Sequence, residues 1–289
     1  MTGLQHPFTR LAAALPTPVD ESGNIIISLL IEHANTMLQA GCDSIVPFGT
    51  TGEGASFPSV TRRHMVEAMG QGGVNPDRLI ACVYGPSAQE AADEITFYSQ
   101  IGCRGILLVP PFYFPYPSDQ GMFDWHSKVI ELAGNAMLPT LIYNIPALTQ
   151  VKLSVPLVTR LREAFPGIIA GVKDSAGDWS DTSSLLQAHS DLTILVGHEG
   201  QLADAVKRGA SGCISGMMNF APNLVSQLAI GESRSDIDQL LEWVLNGPVV
   251  PNIKALLADK TGEPRWRNTV SPLLPNQEKI PQHIRDLLD

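Results

Sequence analysis

The sequence predicts an α/β fold, a (β/α)8 TIM barrel with a C-terminal helical extension. Three observations support this prediction. Eight short apolar runs are hydrophobic throughout and do not alternate with polar residues, which is typical of parallel strands covered by helices. Segments with helical patterning separate these runs. The chain has 289 residues, 44% of them hydrophobic, which suits a single barrel.

The apolar runs give the predicted strands in chain order. They are residues 10–15, 43–48, 78–84, 104–109, 138–144, 168–173, 192–197 and 212–216. Between them, Ser28 is a predicted N-cap of a helix that ends at Gly41, and Ser87 with Glu90 forms a capping-box pattern before a helix that ends at Gly102. A further helix stops at Gly209. Repetition of this strand–helix unit favours the barrel.

The division of the chain follows from these units. We expect residues 1–235 to form the (β/α)8 barrel, and residues 236–289, which are helix-like and interrupted by proline, to form a C-terminal helical appendage. A doubly wound open sheet is the alternative architecture. The absence of a G-x-G-x-x-G motif after the first strand weakens that alternative.

Composition excludes some classes of function. The net charge of −10 argues against binding nucleic acid through the general surface. The four cysteines form no C-x-x-C pair, which favours packed thiols in a reducing compartment, and the longest apolar stretches are too short to span a membrane. The sequence therefore predicts a cytoplasmic protein without a membrane or nucleic-acid partner.

Unusual residues follow several predicted strands, at the end of a barrel where chemistry is carried out. The motifs are FGTTGEG (48–54), PPFYF (110–114), YNIP (143–146), KDSAGD (173–178) and GHEG (197–200). FGTTGEG offers hydroxyls and backbone N–H groups that suit a small anion such as a carboxylate, although an ordinary strand–helix loop has the same composition. It is not a P-loop, because G-x-x-x-x-G-K-[ST] does not occur.

Lys173 ends a buried strand, where an ammonium group is costly unless it is paired or has a task. Asp174 follows it, but the period of two turns Asp174 to the opposite face of the strand. An inward lysine is a candidate amine nucleophile toward a carbonyl carbon, and Tyr143 on the preceding strand is a candidate acid or base. The alternatives are a lysine that reaches solvent and a tyrosine that serves the core.

A metal site has little support in the sequence. The seven histidines form no H-x-H or H-E-x-x-H pattern. Only His198 follows a strand, beside Glu199, and one such pair is more typical of a substrate contact or a structural role. A metal-assisted phosphosugar barrel, with an anion held after the seventh and eighth strands, stays open as a rival function.

Taken in this order, FGTTGEG, YNIP and GVKDSAGD resemble the class I pyruvate-dependent aldolase superfamily of dihydrodipicolinate synthase and N-acetylneuraminate lyase, over about residues 8 to 265. The resemblance implies that Lys173 forms a Schiff base with pyruvate or another 2-oxo acid and that Tyr143 is the general acid and base. No dissociable cofactor or metal is implied. The expected assembly is a homotetramer built as a dimer of dimers.

The resemblance also implies roles for residues outside the Lys173–Tyr143 pair. Thr51 transfers a proton, and Tyr113, or Phe114 one residue further on, enters the site of a neighbouring subunit. The implied substrate-binding residues are Thr50, Thr51, Gly197, Glu199 and Ile214. Ser175 is a further candidate, which together with His198 and Glu199 could supply polar contacts to a hydroxylated substrate tail.

Departures from the family pattern narrow the substrate. Leu148 stands where dihydrodipicolinate synthases carry an arginine that binds the semialdehyde carboxylate, and leucine cannot replace a guanidinium. Gly200 follows Glu199 where sialic acid lyases have a second acidic residue, and Gly216 stands where they have a serine. We therefore expect an aldolase for a 2-keto-3-deoxy sugar acid or a 4-hydroxy-2-oxo acid. A hydro-lyase on a similar acid, a dihydrodipicolinate synthase-like condensing enzyme and a non-catalytic 2-oxo-acid-binding barrel are the alternatives.

Overall fold

The computed structural model describes Phe8 and residues 10–288, and all structural statements refer to them. It contains eight parallel strands, as the sequence predicts. They are β1 (Leu11–Ala14), β2 (Ser44–Val46), β3 (Ile80–Val83), β4 (Gly105–Leu108), β5 (Thr140–Asn144), β6 (Ile169–Asp174), β7 (Thr193–Val196) and β8 (Gly212–Ser215).

The strands form one sheet that curls into a nearly closed barrel. Their order is β2-β1-β8-β7-β6-β5-β4-β3, and every ladder is parallel. A single parallel bridge between Ile45 and Leu79 joins the two ends of the sheet. Helices follow the strands, so the fold is a (β/α)8 TIM barrel.

Helices separate the strands and continue after the last one. They are α1 (Ile27–Gln39), α2 (Ser59–Gln71), α3 (Ala88–Gln100), α4 (Asp119–Ala133), α5 (Pro146–Thr149), α6 (Val155–Ala164), α7 (Trp179–Ala188), α8 (Glu199–Lys207), α9 (Pro222–Leu228), α10 (Asp236–Leu245), α11 (Val249–Thr261) and α12 (Gln282–Arg285). Ser87 is the N-cap of α3, with its side chain accepting from the backbone N–H of Glu90, as the capping-box pattern predicts.

The predicted cap at Ser28 is wrong. Helix α1 begins at Ile27, and its N-cap residue is Ile26, whose side chain makes no capping hydrogen bond. The reason is the preceding extended segment: Val19 bridges to Ile25, and the backbone N–H of Ile26 donates to the carbonyl of Pro18. Because these contacts hold the segment before the helix, the helix begins at Ile27, one residue before Ser28.

Alternate residues of each strand face two different cores. In β5, Leu141 and Tyr143 belong to the cluster that fills the barrel, whereas Ile142 packs in the larger cluster between the strands and the helices. The same alternation places Val172 of β6 against the helices. Lys173, the next residue, therefore faces the inside of the barrel.

Helices α10 and α11 follow the last strand and carry buried apolar side chains on the side that packs on the barrel, including Leu240, Val244 and Leu256. The division of the chain into a barrel of residues 1–235 and an appendage of residues 236–289 stays a prediction.

The four cysteines are buried and free. None of the helices in the described residues has the length and apolar character needed to cross a membrane.

Candidate active site

Lys173 lies near the carboxyl end of β6, inside the barrel, with 6% of its surface exposed. It is in register with Tyr143 of the neighbouring strand β5. Its Nζ atom donates a hydrogen bond of 3.1 Å to the Tyr143 hydroxyl and lies 4.4 Å from the centroid of the same ring. The amine and the phenol are therefore held in direct contact at the end of two adjacent strands.

Asp174 does not pair with Lys173. Its carboxylate points between the strands and the helices, where it accepts hydrogen bonds from Asn144 Nδ2 at 2.8 Å and Thr182 Oγ1 at 2.6 Å. A third bond comes from the backbone N–H of Ala176 at 3.3 Å. Since these partners use the carboxylate oxygens, Asp174 fixes the end of β6 and the start of the following loop.

The FGTTGEG segment turns tightly after β2. Phe48 and Glu53 both have positive φ, 55° and 56°, which non-glycine residues adopt rarely. A Cβ atom on Gly54 would lie 1.8 Å from the carbonyl oxygen of Phe48, so this position accepts only glycine. The turn brings Thr50 to the lysine–tyrosine pair: Thr50 Oγ1 lies 3.3 Å from the Tyr143 hydroxyl.

Two glycines allow close packing around Lys173, Ser175 and Thr51. A Cβ atom on Gly197, just after β7, would lie 2.0 Å from Ser175 Oγ and 3.1 Å from Lys173 Cε. A Cβ atom on Gly216, just after β8, would lie 3.3 Å from Thr51 Oγ1. The absence of side chains at these two positions leaves room for Ser175, Lys173 and Thr51.

Glu199 is held by the protein itself. Its carboxylate accepts a 2.5 Å hydrogen bond from Ser215 Oγ, and the backbone N–H of Met217 donates to the same oxygen at 3.4 Å. Ser215 is buried at the end of β8. The carboxylate therefore ties the start of α8 to the end of β8.

A cavity of about 770 Å³ opens at the carboxyl ends of the strands. Eight of the nine predicted catalytic and substrate-binding residues line it, and these are Thr50, Thr51, Tyr143, Lys173, Ser175, Gly197, Glu199 and Ile214. Tyr113 is the exception. It lies on the loop after β4 with 83% of its surface exposed, in edge-to-face contact with Phe114, and it does not line the cavity of its own chain.

Sequence reasoning missed several residues of this site. Tyr84, which follows β3, lines the cavity, and burial raises the pKa of its phenol well above the usual range. Its position as the last residue of the predicted strand 78–84 was the available signal. The apolar wall supplied by α10 and α11 gave no motif at all.

A second missed feature is an ion pair beside the cavity. Glu53 of the FGTTGEG segment pairs with Lys254 of α11, and both side chains have no exposed surface. Burial lowers the pKa of Lys254, and the Glu53 carboxylate opposes that shift. The backbone N–H of Val270 donates to the other oxygen of Glu53 at 2.7 Å.

Groupings that suggest a metal are lacking in the described part of the chain. In Phe8 and residues 10–288, no three His, Cys, Asp or Glu side chains lie together as ligands of one ion. His198 and Glu199 are neighbours at the cavity, but the Glu199 carboxylate is engaged by Ser215.

Comparison with known proteins gives a consistent result. A model of the dihydrodipicolinate synthetase family matches residues 7–289. A crystal structure of dihydrodipicolinate synthase from Agrobacterium tumefaciens strain C58 is 42% identical and superimposes with a TM-score of 0.91, covering 97% of each chain.

More distant similarities are found in one protein sequence and one solved structure. An uncharacterized DapA-like lyase from Halobacterium salinarum is 29% identical over 256 residues, which are 83% of this chain and 81% of that protein. The structure of a 2-keto-3-deoxygluconate aldolase from Picrophilus torridus has a TM-score of 0.85 at 21% identity and covers 94% of this chain and all of that one. At 21% identity, the similarity to the Picrophilus structure shows the fold alone.

Proposed function

The chain belongs to the dihydrodipicolinate synthetase family, and from this premise we propose that it is a Schiff-base lyase acting on a 2-oxo acid. Lys173 is the nucleophile and Tyr143 the general acid and base. One observation carries the proposal: Lys173 Nζ is buried in the barrel, away from Asp174, and within 3.1 Å of the Tyr143 hydroxyl. An amine in contact with a proton carrier is the arrangement that carbinolamine chemistry requires.

In the first step the neutral amine of Lys173 attacks the C2 ketone carbon of the acid. The nitrogen loses one proton, which passes to the ketone oxygen, and Tyr143 donates a second proton to that oxygen, so that it leaves as water and a protein-bound iminium results. Tyr143 transfers protons to and from that oxygen, because its hydroxyl already contacts Nζ. The iminium then serves as an electron sink for the adjacent bonds.

Thr50, Thr51 and the backbone N–H groups of the FGTTGEG turn bind the substrate carboxylate. Support comes from the contact of Thr50 Oγ1 with the Tyr143 hydroxyl at 3.3 Å and from the place of Thr51 in the cavity wall. A fixed carboxylate presents C2 to the amine in one pose. Ser175, Gly197, Glu199 and Ile214 line the rest of the substrate-binding end.

Cleavage proceeds from the iminium of a 4-hydroxy-2-oxo acid. Tyr143 takes the proton of the C4 hydroxyl, the C3–C4 bond breaks, and its electrons move into the enamine while C4 leaves as an aldehyde. The enamine is then protonated at C3. Water hydrolyses the resulting iminium and releases pyruvate and the free lysine. The reverse order of steps forms the bond.

Tyr113 has its proposed role in another subunit. Its exposure of 83% on a loop outside its own cavity is consistent with a side chain that reaches the site of a neighbouring chain. Phe114, at 79%, is the alternative residue for that position. We accordingly propose a homotetramer built as a dimer of dimers, located in the cytoplasm, that needs no dissociable cofactor.

The substrate is a 2-keto-3-deoxy sugar acid or a 4-hydroxy-2-oxo acid. A dihydrodipicolinate synthase-like condensation is the second candidate, favoured by the 42% identity to the Agrobacterium structure described by that name. Leu148 argues against it, since it lines the cavity where an arginine is needed for a second carboxylate. A hydro-lyase reaction through the same iminium and a barrel that binds 2-oxo acids without turnover are the remaining alternatives.

Borohydride trapping tests the proposal. Incubation of the protein with pyruvate and borohydride should add one reduced pyruvate to the chain, located at Lys173 by peptide mass spectrometry. Lys173→Ala should give no adduct. Lys152→Ala is the matched control, because Lys152 pairs with Asp181 on the surface, and its adduct should be unchanged. Absence of any adduct on the intact protein would overturn the Schiff-base mechanism.

A further inference from the structure

The cavity has two chemically different ends. One holds Lys173, Tyr143 and the threonines of the FGTTGEG turn. The other extends toward the C-terminal helices and is lined mainly by leucine, isoleucine and valine side chains, together with Gly247, Pro248 and Pro272. A volume of about 770 Å³ lies within the range of about 300–1,000 Å³ typical of sites for whole small-molecule ligands, so it holds more than pyruvate.

The apolar wall comes from three elements. Leu241 and Val244 of α10 and Ile253 of α11 line the cavity with 8%, 3% and 4% of their surfaces exposed. Ile145, which follows β5, also lines it, with 8% exposed. Leu148 lies at the entrance and is 64% exposed. A ligand group that covers these side chains removes apolar surface from water.

Several polar side chains in the wall are already engaged by the protein. Glu199 accepts from Ser215, and Glu53 is paired with Lys254. Thr149 Oγ1 donates to the carbonyl of Ile145 at 3.0 Å and accepts from the backbone N–H of Val151 at 3.2 Å. A hydroxyl group placed against these three side chains would have to compete with these bonds or stay unpaired. Ser175, beside Lys173, and His198, at the start of α8, are polar side chains of the lining outside this set that a hydroxyl group could contact.

An acidic tail would need a lysine or an arginine in the wall. Among the described residues that line the cavity, Lys173 is the only lysine, and there is no arginine. The proposed mechanism uses Lys173 for the ketone. A terminal carboxylate or phosphate on the substrate would therefore be removed from water without a lysine or arginine partner, which is unfavourable.

From this wall we propose that the substrate is a 4-hydroxy-2-oxo acid whose C4 carries an apolar group, an aromatic ring or an alkyl chain. The aldehyde that it releases, or condenses with pyruvate, is then apolar. Leu241, Val244, Ile253 and Leu148 are the residues that determine this specificity. The inference rests on the proposed Schiff-base function and chooses between its two substrate classes.

The test is a set of aldol additions of pyruvate to matched aldehydes. Benzaldehyde and hexanal are the apolar members, glyceraldehyde is the hydroxylated member, and succinate semialdehyde is the acidic member. Pyruvate consumption and product formation by chromatography give kcat/KM for each aldehyde. We expect the apolar aldehydes to exceed the other two by about tenfold or more, since each extra methylene matched by an apolar pocket is worth about 10- to 200-fold.

Two variants and one control assign the preference to the wall. Val244→Asn places an amide in the wall and should lower kcat/KM for benzaldehyde about tenfold through KM. Since Val244 is buried, Leu148→Arg is the second variant at an exposed position, and it should shift the preference toward succinate semialdehyde. Leu274→Asn changes an exposed leucine that does not line the cavity and should leave all four values unchanged.

The outcomes separate this inference from the function on which it rests. If pyruvate is trapped on Lys173 but glyceraldehyde or succinate semialdehyde reacts as well as or better than the apolar aldehydes, the Schiff-base function stands and the apolar substrate class is wrong. The apolar class is equally wrong if Val244→Asn and Leu148→Arg leave the preference unchanged. If no pyruvate is trapped, the proposed Schiff-base function is wrong, and the substrate inference that rests on it is wrong as well.

Discussion

Glu53 and Lys254, which are 201 residues apart in the chain, form an ion pair whose side chains are both fully buried. Glu53 belongs to the FGTTGEG turn that carries the two threonines, and Lys254 belongs to α11, which supplies part of the apolar wall. The second Glu53 oxygen accepts from the backbone of Val270. The pair therefore connects the proposed carboxylate-binding turn to the C-terminal helix across the mouth of the barrel.

Removal of the lysine should destabilise the protein. Lys254→Met leaves the Glu53 carboxylate buried without its cation, and we expect the free energy of unfolding to fall by about 3–5 kcal/mol in urea titrations. Lys128→Met removes an exposed lysine that pairs with Glu131 and should change it by less than about 1 kcal/mol. The double variant Glu53→Met with Lys254→Met should recover part of the loss; no recovery would mean that the charge pair is not the cause.

Tyr143→Phe tests the proposed proton carrier. The variant removes the hydroxyl that contacts Lys173 Nζ and Thr50 Oγ1 while the ring stays in the barrel. We expect kcat for pyruvate-forming cleavage to fall by about 10²- to 10⁴-fold, with little change in stability. Tyr116→Phe, which removes an exposed hydroxyl bonded to Gln150, is the control and should keep full activity. Normal turnover by Tyr143→Phe would exclude the hydroxyl from catalysis.

Gly197→Ala should impair the site more than the fold. The added Cβ atom would lie 2.0 Å from Ser175 Oγ and 3.1 Å from Lys173 Cε, so the serine must move and the lysine is crowded. We expect borohydride trapping with pyruvate to slow by about tenfold or more, on the order of 1.4 kcal/mol or greater in activation free energy. In Gly121→Ala, the new Cβ atom would lie 3.5 Å from Ser118 Oγ, an ordinary contact, and trapping should match the wild type.

Asp174→Asn separates a structural role from a catalytic one. The carboxylate accepts from Asn144 through one oxygen and from Thr182 through the other, whereas an amide has only one accepting atom. We expect the free energy of unfolding to drop by about 1–3 kcal/mol. Pyruvate trapping at Lys173 by the folded variant should keep its rate within a few-fold. A total loss of trapping in a well-folded variant would assign Asp174 to the reaction.

Two buried histidines should make stability depend on pH. Burial lowers the pKa of His33 and of His126 to about 4, from 6.5 in the unfolded chain. Both are neutral in the folded protein at pH 7, so their contribution to the free energy of unfolding is fully present above about pH 6.5. As pH falls from there toward 4, the unfolded chain binds protons that the folded protein does not, and each histidine lowers the free energy of unfolding by about 1.4 kcal/mol per pH unit.

Urea unfolding at pH 7 and pH 5 measures this effect. His126→Leu removes one of the two groups, and the loss of stability between the two pH values should shrink by about 2 kcal/mol. His64→Gln changes an exposed histidine and should leave the difference as in the wild type. An unchanged difference in His126→Leu would show that this side chain is not the one that titrates.

The sequence predicted the fold and most of the residues at the end of the cavity that holds Lys173 and Tyr143, because both depend on local patterns. Apolar runs separated by helical segments gave the eight strands, and the period of two along β6 placed Lys173 and Asp174 on opposite faces, as the structure shows. Active sites of such barrels lie at the carboxyl ends of the strands, and this rule predicted that Thr50, Tyr143 and Ser175 belong to one site. The structure places all three in the wall of one cavity. Their catalytic roles stay predictions.

The structure decided what depends on contacts between distant segments. The start of α1 was mispredicted because strand-like pairing of Val19 with Ile25 overrides the cap preference of Ser28. The partner of Glu53 and the apolar wall of α10 and α11 carry no local signal, because a buried face of a helix has the same periodicity whether it packs on a core or on a cavity. Only the packing of those helices over the barrel distinguishes the two, and the proposed apolar substrate class depends on that packing.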